Sequence, residues 1–446
     1  MKIKTVFASA AVLFLMTVHL RAAEEFNYIW KNPAVGNDWF NAANWTTLDP
    51  YKDLPGAADR VLISAGHVVL DGASGPALAD SVRPGNDPSK SGTLSMTGAA
   101  ELIVSGNFAL GASGTGYLYM DGDAALSSAD AHFGSMSGGA GFATLGGSAT
   151  WTLRGTEMVI GYGGAGILTL EEDAALNAPD FKITLGLNPT GDGTLNLNGG
   201  TVSTQGFVRG AGAGALGLNG GTIRATASTG NFFDNLGPLY IESGGVTLDV
   251  GAGLSVTATN NFSGPGDFTK TGAGKLTLSG ALDLGGELRV LEGTLALAQE
   301  RVLRPGDLLR LGLGTQLDLE SRLTLDGGVL VFELGADGQS GALGGAGAVN
   351  LWSGVIQLEL TPAAYTAGAH SYDLIGADIL ELTRGASDYV ALLHFASLDP
   401  NWEIKNPSFI NGTLQFDLAP IPEPTTWTLM VGGGGALLAL RRRIGK

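Results

Sequence analysis

A repeat of about 25 residues constrains this chain more than anything else in its sequence. A glycine followed four positions later by an apolar residue recurs as Gly92-Thr-Leu-Ser-Met96, Gly116-Tyr-Leu-Tyr-Met120, Gly141-Phe-Ala-Thr-Leu145, Gly166-Ile-Leu-Thr-Leu170 and Gly193-Thr-Leu-Asn-Leu197, at spacings of 24, 25, 25 and 27. A second marker, an apolar residue or arginine followed by glycine, ends each unit at Gly111, Gly134, Gly161, Gly186 and Gly210. Between the two lies a short extended segment: Glu101 to Val104, Ala125 to Ser127, Ala149 to Leu153, Ala175 to Asn177 and Gly200 to Ser203. Each unit therefore reads as three strands of three to five residues, separated by Gly, Ser, Asn and Asp corners. Such strands bury no face alone, but stacked units do. The spacing predicts an all-β fold, a right-handed parallel β-helix whose coils pair at about 4.8 Å. The pattern loosens after residue 215 and continues through Asn219-Gly-Gly-Thr222, Gly274-Lys-Leu-Thr-Leu278 and Gly293-Thr-Leu-Ala-Leu297. Residues 92 to 330 then form about ten coils, a rod on the order of 48 Å.

Composition agrees and excludes several functions. The chain has 446 residues, 71 of them glycine, with no Gly-X-Y register and 44% apolar residues, so neither collagen nor disorder fits. No cysteine is present, which removes disulfides, thiolate metal sites and a cysteine nucleophile. Net charge is −17. Seven of the 25 basic residues lie in residues 1–23 and 425–446, where there is no acid, so the intervening body carries −24. That balance argues against a nucleic-acid partner, since phosphate contacts need clustered Lys and Arg.

Residues 24–91 read as an N-terminal cap. Trp30, Trp39 and Trp45, three of the seven tryptophans, fall within 16 residues among Asn and Asp. They read as a hydrophobic plug over the first coil, which stacked repeats require at an open end; the alternative is an aromatic platform for sugar rings. Residues 331–419, with strands at 354–361, 371–375, 389–395 and 412–418, read as a small antiparallel β module closing the other end.

Lys2 and Lys4 ahead of an apolar run to Leu20, then Ala22 and Ala23, have the order of a secretory signal peptide over residues 1–23. At the other end Pro422-Glu423-Pro424 precedes an apolar segment, Trp427 to Leu440, and then Arg441-Arg442-Arg443. From Thr425 to Leu440 is 16 residues, about 24 Å of helix against roughly 30 Å of hydrocarbon, and it reads as a C-terminal transmembrane helix with the arginines on the cytoplasmic side. Motif, apolar stretch and basic cluster at the C-terminus resemble the PEP-CTERM sorting domain of Gram-negative bacteria, here residues 420–446. The resemblance implies export, transient anchoring in the inner membrane, processing by an exosortase-like membrane protease or transpeptidase, and a final place at the cell surface or in an exopolysaccharide matrix. Its sorting residues are Pro422, Glu423, Pro424, Arg441, Arg442 and Arg443. Residues 268–280 with 291–297 also resemble the autotransporter-associated β-strand repeat of passenger proteins.

No motif of an enzyme stands out. His67, His132, His370 and His394 are scattered without partners at catalytic or metal-ligand spacing, and no nucleophile-elbow serine or phosphate-binding loop occurs. Gly212-x-Gly214-x-x-Gly217 matches the dinucleotide pattern but opens no helix. Asp121 and Glu171, and likewise Asp123 and Asp173, share one corner two coils apart, about 10 Å, and read as solvated corner charges. No catalytic residue, metal site or cofactor is assigned. The reading is a structural or adhesive envelope protein. Its alternatives are a polysaccharide lyase or hydrolase, which needs clustered carboxylates with Arg or Lys in one groove, and a carbohydrate-binding protein using Trp30, Trp39 and Trp45.

Overall fold

The computed structural model describes residues 26–33, 36–48, 51–381, 389–396 and 398–421. They form a parallel β-solenoid of about 12 coils with three faces. The first face stacks Arg60–Ile63, Ser81–Pro84, Asn107–Leu110, Asp130–Phe133 and Met158–Ile160. Gly66–Leu70, Ser91–Met96, Thr115–Met120 and Ala140–Leu145 stack on the second. The third holds Ala77–Ala79, Glu101–Val104, Ala125–Ser128 and Thr150–Leu153. In Ala165–Ala178 and Asp192–Thr204 one strand runs through the corner between the second and third faces.

Strand alternation builds the core. Inward positions carry aliphatic columns, such as Leu94, Leu118, Ala143, Leu168 and Leu195 on the second face, each paired with the next in register and each buried. Burial of each leucine stabilises by about 1.5–3 kcal/mol, and a one-residue slip would turn a whole column to solvent. Gly92, Gly116, Gly141, Gly166 and Gly193 pair with one another in a single column. At Gly193 a Cβ would stand 1.9 Å from the Ile160 carbonyl oxygen and 2.6 Å from the Gly186 amide. The corner between the first and second faces closes only when side chains are missing there. That is the physical content of the repeat's opening glycine.

The stack is longer than the repeat indicated. It begins at Arg60, because Gly66 pairs with Gly92, and on the third face it runs to Ala348–Leu360 and Leu393–Ala396. In its later part the coils shorten: Leu276 pairs with Leu295, 19 residues on, so a fixed 25-residue period loses them. The expected strand at 354–361 belongs to the parallel stack, and the antiparallel module consists of Gly368–Asp373, Trp402–Ile410 and Thr413–Pro420. Length and apolar pattern do not distinguish parallel from antiparallel pairing, which explains the misplacement.

The C-terminal transmembrane helix requires correction. Among the described residues no helix is long and apolar enough to cross a membrane; the 3-10 elements Ala42–Asn44, Ala336–Gly338 and Pro362–Ala364 are single turns. The segment at 425–440 lies outside the described residues. Its 16 residues give about 24 Å of helix, short of the hydrocarbon thickness, and its four consecutive glycines at 432–435 disfavour helix by up to about 1 kcal/mol each. Among the described residues the fold class is all-β, with no helix able to span a membrane.

The glycine column gives a stability prediction. Gly193→Ala should lower the unfolding free energy by about 1–3 kcal/mol, whereas Gly237→Ala, where an added methyl meets nothing within 4 Å, should change it by under about 0.5 kcal/mol. Denaturant melts of both variants compare the two; equal stability would contradict the close-approach account.

Candidate functional site

The three N-terminal tryptophans are interior. Trp30, Trp39 and Trp45 are 4%, 1% and 2% exposed. Trp45 sits edge-to-face against both others, with centroids at 4.9 and 5.0 Å, and its indole N–H donates to the Trp39 carbonyl at 2.8 Å. Tyr28 packs edge-on to the same ring, and Asn44 donates to the carbonyls of Gly36 and Asp38. Rings buried in this way offer no face to a sugar, so the stacking role is corrected: the cluster covers the start of the stack, where Tyr28–Trp30 pairs with Arg60–Ile63.

The corner carboxylates fall where the repeat places them. Asp121 and Glu171 follow Met120 and Leu170, which occupy one column two coils apart. Asp121, Asp123, Glu171 and Asp173 are all exposed, the coil between supplies Gly146, and Asp121 accepts from the neighbouring amide of Gly122 at 2.8 Å. No salt bridge joins any of the four to Lys or Arg among the described residues. They are solvated corner charges. Pro422, Glu423, Pro424, Arg441, Arg442 and Arg443 lie outside the described residues.

The chemically distinctive features lie further along the rod. On the third face, Glu287, Arg289, Arg310 and Glu359 form a network across neighbouring coils. Arg310 Nε meets Glu287 at 2.8 Å and its Nη1 meets Glu359 at 2.5 Å, while Arg289 bonds Asp267 at 2.9 Å. Burial pushes the Glu359 carboxyl up, but its bonds from Arg310 and Gln357 outweigh this and hold it below its usual value. Each charge is answered within the network, which ties coils together.

Lys270 occupies an inward column between Leu248 and Val290 and is fully buried. Its ammonium donates to the carbonyls of Thr271, Gly272 and Glu292 at 2.7, 2.6 and 3.2 Å. Burial pushes its pKa down to about 8, with Asp249 and Glu292 opposing.

The second face contains a break. Its ladder is continuous from Leu239–Tyr240 through Phe262–Gly264 to Leu282–Leu284, and resumes at Arg301–Leu303, but no strand pairing joins Leu282–Leu284 to Arg301–Leu303. Arg301 stands at the break in an inward phase, where its register partner in the next coil is Leu323. It is 9% exposed, its Nη1 donates to the Leu282 carbonyl at 2.5 Å, and its Nε has no partner. Asp307 is held by the Arg304 amide at 2.9 Å and stops 3.8 Å short of Arg301 Nη2. Burial lowers the Arg301 pKa; Asp307 and Asp283 oppose that, and Arg304 adds to it. Over the break lies an open groove of about 530 Å3 whose rim carries Asp283, Glu300, Arg304 and Asp307. The sequence carried one sign of both unusual sites, a cation in the inward phase of an alternating strand: Lys270 in Phe-Thr-Lys-Thr and Arg301 in Arg-Val-Leu.

No family model, curated protein or solved structure matches this chain.

Lys270 yields a pH prediction. The unfolded lysine keeps its proton to about pH 10.4, whereas the folded one releases it at about 8. Between these values the unfolded state binds more protons, so this residue makes stability rise with pH, by at most about 1.4 kcal/mol per pH unit. Urea melts across that window should show the rise in the wild type and its loss in Lys270→Met; identical slopes would contradict it.

Proposed function

We propose that this chain is an exported structural or adhesive component of the cell envelope or exopolysaccharide matrix, sorted by an exosortase-like enzyme acting at Pro422-Glu423-Pro424. The observation that carries this reading is the stack itself. About 12 coils in register make a stiff spacer with flat, repeating outer faces, and the four carboxylates that share a corner stand solvated with no salt bridge to Lys or Arg among the described residues. Support also comes from the sequence order of a basic-apolar-small N-terminus, a −24 body and a Pro-Glu-Pro, apolar, triple-arginine C-terminus. An acidic body repels its own copies, which suits a protein that stays soluble during export.

Fractionation of the native cells with mass spectrometry of both mature termini tests this. The protein should be recovered at the surface or in the matrix, starting near Glu24 and lacking residues past the Pro-Glu-Pro motif, and a Pro422→Ala/Pro424→Ala variant should keep its C-terminus. Recovery of an intact chain from Met1 to Lys446 in the cytoplasm would overturn the proposal.

A further inference from the structure

The groove over the break on the second face has features that the scaffold does not need. A parallel ladder normally satisfies every strand edge, yet here two three-residue strands, Leu282–Leu284 and Arg301–Leu303, face each other unpaired. Between them a nine-tenths buried guanidinium satisfies one freed carbonyl and leaves its Nε unpartnered. Leaving a buried donor unbonded costs about 1–3 kcal/mol. Asp307, which accepts from the Arg304 amide at 2.9 Å, reaches only the Nη2 side of the guanidinium, at 3.8 Å. Arg304 itself is exposed and makes no salt bridge among the described residues. A bland aliphatic pair, such as the neighbouring coils use at this phase, would have closed the ladder.

The lining selects the ligand class. Asp283, Glu300 and Asp307 are acceptors, Arg301 and Arg304 are donors, and the two strand edges add both kinds. Apolar ligands find little to bury here. A polyanion meets three carboxylates and a body of −24. A hydroxyl-rich, uncharged saccharide, each of whose groups both donates and accepts, matches such an alternation. The volume, about 530 Å3, falls in the small-ligand range and has room for about two or three sugar rings.

We propose that the groove bounded by Leu282–Leu284 and Arg301–Leu303 is a binding site for a neutral oligosaccharide segment, with Asp283, Arg304 and Asp307 bonding its hydroxyls. This deepens the matrix-protein reading by naming its glycan contact, and rests on that reading only for the source of the glycan.

Affinity electrophoresis of the full chain through gels containing laminarin, dextran or alginate tests the site, alongside Asp283→Ala/Arg304→Ala. Both positions are exposed, so the double variant should melt like the wild type. The expected result is retardation by at least one of the two neutral glucans, a shift at least tenfold weaker for the double variant, and none by alginate. Retardation by a neutral glucan that is equal in wild type and variant would overturn the groove while leaving matrix association standing. Retardation by alginate alone, or by none of the three, would overturn the neutral-saccharide assignment, and the termini mapping above would still decide the export reading. A second variant, Arg301→Leu, should close the break and abolish retardation while keeping or raising thermal stability; undiminished retardation by that variant would also contradict the site.

Discussion

In-register pairing of each coil with the next is the interaction on which everything else depends. A coil of about 20 to 25 residues with three short strands has almost no interior of its own, and its leucines are buried only because the same positions above and below present leucines too. The backbone ladder sets the spacing and the aliphatic columns set the register. The glycine column sets the cross-section, because the first and second faces meet too closely for a side chain at Gly193 or its stacked equivalents. Energetically this is a sum of neighbour interfaces, so the ends are the weak points. The edge-to-face tryptophan cluster at one end and the antiparallel sheet at the other are the counterparts of that weakness.

A solenoid also dictates where function can reside. Most inward positions are taken by packing and many corners by glycine, so chemistry is left largely to outward side chains and to places where the ladder fails. The Glu287–Arg310–Glu359 network uses outward positions and closes on itself. The Arg301 groove arises where the ladder is interrupted, and it is there that main-chain groups, cations and carboxylates meet in one concavity. Shorter coils in this part of the rod accompany the interruption.

Much of the architecture was legible because its signal is periodic. Gly92 to Gly193 recur at nearly constant spacing, and alternation in segments such as Glu101–Val104 marks their inward faces. The first coil from Arg60 and the last at Ala348–Leu360 lie outside that signal, since coil length drifts and a single unit is no repeat. Strand direction at the C-terminal end is not legible for a different reason: pairing partners are a tertiary property. The site was the least legible part. Trp30, Trp39 and Trp45 stand out in the sequence as large aromatics but are packing residues, whereas Arg301 and Lys270 are ordinary surface types whose burial is visible only once the strand phase is known. A break in a ladder leaves no sequence motif at all.

The absence of cysteine makes one measurement clean. Ile103, Ser127, Thr152, Asn177, Ser203, Arg224, Asp249 and Thr271 are joined in a single outward column by successive pairings. Spin labels on cysteines at Ile103 and Arg224, five coils apart, should give a narrow distance near 24 Å, and labels at Ile103 and Thr271, seven apart, one about 10 Å longer, at about 4.8 Å per coil. Two distances that do not increase with coil number, or broad distributions for both, would contradict a rod of stacked coils and every site built upon it.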